Sequence, residues 1–337
     1  MLYNESGLSM EQAEAVAEPG QQLRQAATLE SEGRFGDALA VLQEQMTLLP
    51  ASERPWLQVS RLLASMQRVE EAERLLAEAQ QHLPNEVIVF IQHARFAEAR
   101  SDWAAADRRW AEVRTRWPRH PDGWTGGVRT LSQLGQIDAA ELLADQGWAL
   151  FPLDAALAFV WADLPRLRGD LAPRADRWAQ VRTMHPQNPG GYAAGALALL
   201  DLGRLEHAEQ VASEGCSTFP ADRDVHRAYG VVLLTKGEIA AAEQVLSKAL
   251  QIDRNDSVTH LHYIRAAMAR NDRPEVARRN ADAQKLFPGD SRFYSERFEV
   301  PAEVDPEDPS TSPATPPQPR APKPTGRLRR LLRQRRN

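Results

Sequence analysis

The sequence predicts an all-α solenoid of stacked helical hairpins, and three observations predict it. Pro50, Pro84, Pro118, Pro152, Pro186, Pro220 and Pro288 stand 34 residues apart, with one doubled step in which Arg254 takes the intervening place. Gly33, Gly135, Gly169, Gly203 and Gly237 keep the same frame, and Gln67, Ser101 and Asn271 occupy its remaining slots. Between these marks apolar residues recur three and four apart, as in Trp56, Val59, Leu63 and then Ala72, Leu76, Ala79. That spacing gives each helix one buried face.

Each column has a physical task. The glycine slot lies where a first helix ends and the chain reverses. The proline lacks the N–H that would continue the second helix. An apolar residue usually precedes it: Leu49, Leu83, Trp117, Phe151, Phe219 and Phe287. Ala38, Ala72, Ala106, Ala140, Ala208 and Ala242 form a column early in the second helix, where a small side chain lets two helices approach. Only Arg174 and Val276 break it. In the first helix Trp56, Phe90, Trp124, Tyr192, His226, His260 and Tyr294, with Ala158 as the exception, fill the gap between hairpins.

A 34-residue helix–turn–helix carrying this pattern resembles the tetratricopeptide repeat. Unit two shows it as Trp56, Val59-Ser60, Leu63, Ala72, Leu76, Ala79 and Pro84; unit seven shows it as His226, Tyr229-Gly230, Leu233, Ala242, Leu246 and Ala249. The resemblance covers residues 19–288 as eight units, the first being weak because Gln22 stands in the aromatic slot. It implies a right-handed superhelical α-solenoid whose first helices line a concave, ligand-holding face. The expected organisation is an N-terminal extension over 1–18 and a solenoid over 19–300. The solenoid closes on a polar capping helix over Asp290–Glu299, which Arg292, Arg297 and Glu299 suit. A Pro-rich linker over 301–326 and a basic amphipathic tail over 327–337 follow.

Unit five, Leu153 to Pro186, departs from the pattern. Pro165 falls inside its first helix and Arg174 replaces the small alanine. A proline there kinks or shortens the helix, leaving either a hinge or a tolerated defect. Two first helices are rich in glycine: Gly123, Gly126 and Gly127, then Gly190, Gly191 and Gly195. Glycine inside a helix costs about 1 kcal/mol against alanine, so close approach of a neighbouring helix is the expected compensation.

The net charge of −5 conceals a split. Residues 301–337 hold seven Arg and one Lys against two Asp and two Glu, or +4, which leaves −9 for residues 1–300. An acidic body argues against nucleic-acid binding by the solenoid. The single Cys216 allows no intramolecular disulfide and fits a reducing compartment. Met1–Glu18 has no Lys or Arg and so lacks a secretory n-region, and no apolar run approaches a membrane span. The expected location is therefore cytoplasmic, with peripheral attachment at the inner membrane through the tail left open.

No catalytic, cofactor or metal motif stands out, so no cofactor, metal, small-molecule substrate or enzymatic activity is expected. His260 and His262 diverge around a helix and belong to no Cys/His cluster. Trp103, Trp110 and Trp117 fit core packing better than a stacking platform. On the implied concave face one column reads Arg61, Arg95, Arg129, Asp163, Leu197, Val231 and Arg265. Guanidinium groups in register favour an acidic partner segment through forked hydrogen bonds; a solvated polar face is the bland alternative. The chaperone-tail clamp of the family is not matched, because its Lys and Asn positions hold Leu57/Arg61, Ile91/Arg95 and Thr125/Arg129. Further along, Ala193, Leu197, Leu200, Val231, Leu234, Leu261 and Met268 suggest an apolar groove for a helix or extended peptide.

The tail carries Arg327, Arg329, Arg330, Arg333, Arg335 and Arg336 beside Leu328, Leu331 and Leu332. Such a segment suits an anionic membrane, a polyanion, or the acidic body itself. Two functions stay open: a protein-interaction scaffold that binds a protein or peptide on the concave face, or an adaptor docked by its tail. Ala- and Arg-rich repeats ending in Phe-Pro are similar to those of bacterial chains that accompany glycan-assembly or secretion machinery.

Overall fold

The computed structural model describes residues 19–295. The extension 1–18, the linker 301–326, the tail arginines, Arg297 and Glu299 lie outside the described residues.

The first body runs to Asp272 and is an unbroken series of antiparallel helices. These are α1 (Pro19–Ser31), α2 (Phe35–Leu48), α3 (Glu53–Ser65), α4 (Val69–His82), α5 (Val87–Ala99), α6 (Trp103–Arg116), α7 (Pro121–Gln133) and α8 (Ile137–Leu150). There follow α9 (Ala155–Asp163), a 3-10 segment (Leu164–Arg168), α10 (Leu171–Met184), α11 (Pro189–Asp201), α12 (Leu205–Thr218), α13 (Arg223–Lys236), α14 (Ile239–Ile252) and α15 (Ser257–Ala269). No strand occurs among the described residues.

The turn column is left-handed throughout. Gly33, Gly135, Gly169, Gly203 and Gly237 have φ of 75°, 72°, 78°, 77° and 83°, and Gln67, Ser101 and Asn271 follow at 62°, 59° and 63°. In each turn the next N–H donates five residues back: Arg34 to the Leu29 carbonyl (2.8 Å), Arg68 to Leu63 (2.9 Å), Asp102 to Ala97 (3.0 Å) and so on through Asp272 to Ala267 (3.1 Å). This is the helix-terminating bond that a left-handed residue makes possible. At the other end of each repeat, Leu49, Leu83, Trp117, Phe151 and Phe219 each donate four back at 2.8 Å before the proline stops the helix.

The alanine column packs at zero exposure at Ala38, Ala72, Ala106, Ala140, Ala208 and Ala242. The glycine-rich helices are explained by close approach, as expected. A Cβ on Gly126 would stand 2.2 Å from the ring of Trp110. Gly123 and Gly127 frame the side chain of Arg114, and Gly191 and Gly195 frame Arg182 in the same way 68 residues later. Burial lowers the pKa of both guanidiniums. Arg114 Nη1 donates to the Gly123 carbonyl at 2.9 Å.

Pro165 shortens its helix as the sequence predicts. α9 has 9 residues against 13 in α3, α5, α7, α11 and α15, and the chain passes through the 3-10 segment before turning at Gly169.

The second body contains α16 (Arg273–Leu286) and a 3-10 turn at Ser291–Tyr294. Phe293 is fully buried, stacks on Phe287 at 5.6 Å, and its carbonyl accepts from Gln284 Nε2 at 2.8 Å. The described part of the expected polar capping helix is therefore a 3-10 turn closed on an apolar centre. A buried phenylalanine anchors it, not the surface charge of Arg292.

Candidate functional site: a cleft on the first helices of repeats four to six

The shortened α9 leaves room beside it. A cavity of about 510 Å³ lies against α7, α9, the 3-10 segment, α10 and α11. Its apolar wall includes Phe159, Leu164, Leu167, Trp178 and Leu197. Phe159 meets the Trp178 ring edge-on at 5.2 Å, and it occupies the space a Cβ on Gly190 would take. Leu167 is 46% exposed, unusual for a leucine lining a recess.

The polar wall is a chain of ion pairs. Asp163 lies between Arg166 (2.9 Å) and Arg174 (2.8 Å), and Arg174 reaches Asp201 at 2.5 Å. Arg174 is 7% exposed. A charge so deep needs partners on more than one side, and the two aspartates supply them. The residue that breaks the alanine column thus ties α9, α10 and α11 together at the cleft. Arg129 holds the other edge and donates to Glu98 Oε2 at 2.8 Å and to Oε1 at 3.1 Å.

The arginine column therefore reaches the cleft, but its rungs are already engaged. Arg129, Asp163 and Leu197, three successive positions, line the cavity. Arg61 lies 3.5 Å from Glu30, and Arg95 lies 3.1 Å from Asp122. These pairs join neighbouring repeats and leave the guanidiniums 63%, 48% and 45% exposed at Arg61, Arg95 and Arg129. The column presents partly neutralised cations, each with donors to spare. Arg265 is exposed and stands apart from the cleft.

Of the predicted apolar groove, Leu197 enters the cavity, while Ala193 and Leu261 are buried in the core. The three tryptophans form no platform: Trp110 is 1% exposed and its Nε1 donates to Glu98 at 3.0 Å. Burial pushes the Cys216 thiol up to about 11, which makes it a poor nucleophile. Among the described residues no cluster of His, Cys, Asp and Glu is placed to hold a metal, and no helix is long and apolar enough to cross a membrane.

Sequence reasoning located the irregular repeat but not its consequence. Pro165 and Arg174 marked the place, yet Phe159, Leu164, Leu167 and Trp178 carry no motif. The signal was the coincidence of a helix breaker with a charged residue in a small-residue slot.

The first body is thus a stack of hairpins repeating every 34 residues, with a recess on its first-helix side; such arrays offer extended binding surfaces. Residues 29–88 and 228–256 match the tetratricopeptide repeat. The chain therefore carries tetratricopeptide repeats in these two stretches, within a longer run of helix–turn–helix units. No curated protein matches the sequence. Among solved structures, it is similar to a tetratricopeptide repeat protein from Parabacteroides merdae, at 14% identity and a TM-score of 0.52, over 74% of this chain and 98% of that one. It is also similar to a chain of the APC/C hetero-tetramer Cut9–Hcn1, at 12% identity and a TM-score of 0.52, over 81% of this chain. It spans only 54% of that second protein. At such identities the likeness is one of fold. Repeats of this kind generally serve as protein-interaction scaffolds.

Proposed function

We propose that the chain is a non-catalytic scaffold that holds a partner protein or peptide on its first-helix face. The cleft of repeats four to six takes an apolar anchor, and the arginine column, Arg61, Arg95 and Arg129, draws acidic groups along the approach. The observation that carries this reading is the cleft itself: an apolar recess rimmed by Arg129, Asp163, Arg166 and Arg174. Apolar walls with a few convergent charges are what recognition sites use. Arg265 belongs to a separate stretch of the same face.

Affinity capture with the full chain tests it. Leu197→Asp places a charge in the recess and Phe159→Ala removes its wall; either loses the captured partner. Arg95→Glu with Arg129→Glu weakens capture at low salt more than at high salt. A partner retained by all these variants refutes the site. For context, the likeness in repeat style to bacterial glycan-assembly and secretion chains makes those assemblies, in the cytoplasm or at the inner membrane, the first partners to try.

The tail supports a second reading, docking on an anionic membrane surface, because six arginines and three leucines fall within Arg327–Asn337 without an acid. Sedimentation of the full chain with phosphatidylserine vesicles, against a chain lacking 327–337, tests it; equal pelleting removes it.

A further inference from the structure

The first-helix face changes character beyond the cleft. Two of its columns, three residues apart, read Asp163 and Arg166 in repeat five, then Leu197 and Leu200 in repeat six. They continue as Val231 and Leu234 in repeat seven and as Arg265 and Met268 in repeat eight. Leu197, Leu200, Val231 and Leu234 are half-buried, and Met268 is 38% exposed. No acid follows Asp163 in either column. Single apolar side chains on a surface need no explanation, but five in adjoining columns form a strip. Leu197 opens that strip inside the cleft.

Both ends of the strip carry spare cations. Arg166 commits its Nε to Asp163 at 2.9 Å, which leaves Nη1 and Nη2 of a side chain 54% exposed still open. Arg265 is exposed and has neither a hydrogen bond nor an ion pair among the described residues. A guanidinium donates and never accepts, so each end is matched by an acid from outside the chain.

Spacing selects the conformation of the guest. α11, α13 and α15 pack in succession, so each repeat advances on the order of 10 Å. An α-helix lying across them advances about 10.5 Å in seven residues and, in heptad order, presents two apolar side chains in that step. Repeats six and seven each offer two apolar contacts. An extended chain returns to the same face about every 7 Å and falls out of step with the repeats. A polyproline helix turns about every 9.3 Å but brings one side chain per repeat, half of what the strip accommodates.

We infer that the partner segment on this face is an amphipathic helix, with leucine-like residues in heptad order and acidic residues in its end turns. Three repeats separate Arg166 from Arg265, on the order of 30 Å, which about 20 residues of helix span. The inference rests on the reading of the first-helix face as the partner site. It adds the partner's conformation and extends the site through repeats six to eight, so that Arg265 and the cleft grip opposite ends of one helix.

Fluorescence anisotropy with the full chain and labelled synthetic peptides tests it. The probe has about 21 residues: three heptads with Leu at a and d, Glu in the first and last turns, and Ala, Gln and Ser elsewhere. One control keeps the composition but takes the leucines out of heptad order, and another places a proline at the centre of the probe. Each control binds about ten-fold more weakly or worse, and the bound probe gains helical circular dichroism. Leu234→Asp, in the strip but outside the cleft, weakens the probe about ten-fold. Arg265→Glu, on an exposed side chain with no internal partner, weakens it several-fold at low salt and less at high salt. Equal binding of the three peptides, no binding of the probe, or full affinity in Arg265→Glu overturns the inference. The cleft is judged separately: a partner lost by Phe159→Ala but kept by both Leu234→Asp and Arg265→Glu leaves the cleft standing and removes the helix.

Discussion

The same substitution, Gly→Ala, has opposite signs at two positions of this array. In the helix interior alanine is favoured over glycine by about 1 kcal/mol. At Gly36, early in α2, a new Cβ meets nothing within 4 Å, so Gly36→Ala gains part of that amount, a few tenths of a kcal/mol or more. At Gly126 the Cβ would stand 2.2, 2.4 and 2.6 Å from three ring atoms of Trp110. That ring cannot swing aside: it is 1% exposed, and its Nε1 is tied to Glu98 at 3.0 Å. Overpacking of a filled core costs about 1–3 kcal/mol, and three contacts under 3 Å put Gly126 toward the upper end, about 2–3 kcal/mol; net of the propensity gain, Gly126→Ala loses about 1–2 kcal/mol. Urea unfolding followed by circular dichroism and by tryptophan fluorescence reads both variants. The midpoint falls for Gly126→Ala, the native emission shifts as the Trp110 ring moves, and Gly36→Ala stays at or above wild type. A Gly126→Ala protein as stable as Gly36→Ala, with unchanged emission, would refute the packing argument.

Gln67→Gly and Ser101→Gly should each stabilise by about 0.5–1 kcal/mol, because both residues hold a left-handed backbone that glycine adopts freely; a lower melting temperature contradicts this. Acidification should weaken the fold through His93, whose pKa burial and the nearby Arg109 push down to about 4. An unfolded imidazole titrates near 6.5, so the unfolded chain takes up the proton first. The contribution is complete above about pH 6.5 and is lost as pH falls toward 4, on the order of 2 kcal/mol by pH 5; unfolding free energies of wild type and His93→Gln from pH 7 to 5 should diverge accordingly. Cys216 should react with a disulfide reagent at pH 8 many times slower than after unfolding, since its thiol titrates near 11. Trp110→Phe should cost about 1–2 kcal/mol more than Trp178→Phe, because it strips a donor from the charged Glu98, whereas Trp178 Nε1 is buried without a hydrogen-bond partner; equal costs in urea remove that distinction.

Most of the fold was legible because its signals are local and repeated. A left-handed turn needs glycine or a tolerant polar residue, and eight slots in one frame showed both the rule and its exceptions at Gln67, Ser101 and Asn271. A proline ends a helix wherever it falls, so the shortening of α9 could be anticipated from Pro165 alone. The site was less legible because it depends on what stands across from each residue. The column Arg61, Arg95 and Arg129 suggested cations held out for a ligand. Glu30, Asp122 and Glu98, from adjacent repeats, engage them; Glu30 and Glu98 share one repeat slot, but the arginine column read by itself does not bring that second column in, and Asp122 stands outside it. The exposure of Leu142, Leu150 and Leu153 was equally hidden, since helical periodicity assigns a leucine a face but not the absence of a neighbour on it.

The cleft can be traced to changes at a few positions, because the array repeats itself at 68 residues as well as at 34. Arg109 and Arg177 make the same bond, each donating Nη1 at 2.8 Å to a carbonyl sixteen residues earlier, that of His93 and that of Trp161. Trp110 and Trp178 fill equivalent slots, as do Arg114 and Arg182 against their glycine pairs. In the first copy Glu98 closes the structure: it accepts from Trp110, from Arg129 and from Thr130 at 3.3 Å, drawing α5, α6 and α7 together. In the second copy the position of Glu98 is Arg166, and those of Arg129 and Thr130 are Leu197 and Ala198. An acid that gathered three donors has become a cation, and two of the donors have become apolar. Pro165, next to that position, turns the helix into a 3-10 segment. Arg174, in place of a small alanine, then secures the neighbouring helices through Asp163 and Asp201. Where the first copy has an ion-paired seam, the second has an apolar recess held open by a buried arginine. Restoring the acid alone would not close it, because Leu197 and Ala198 offer that acid no donor.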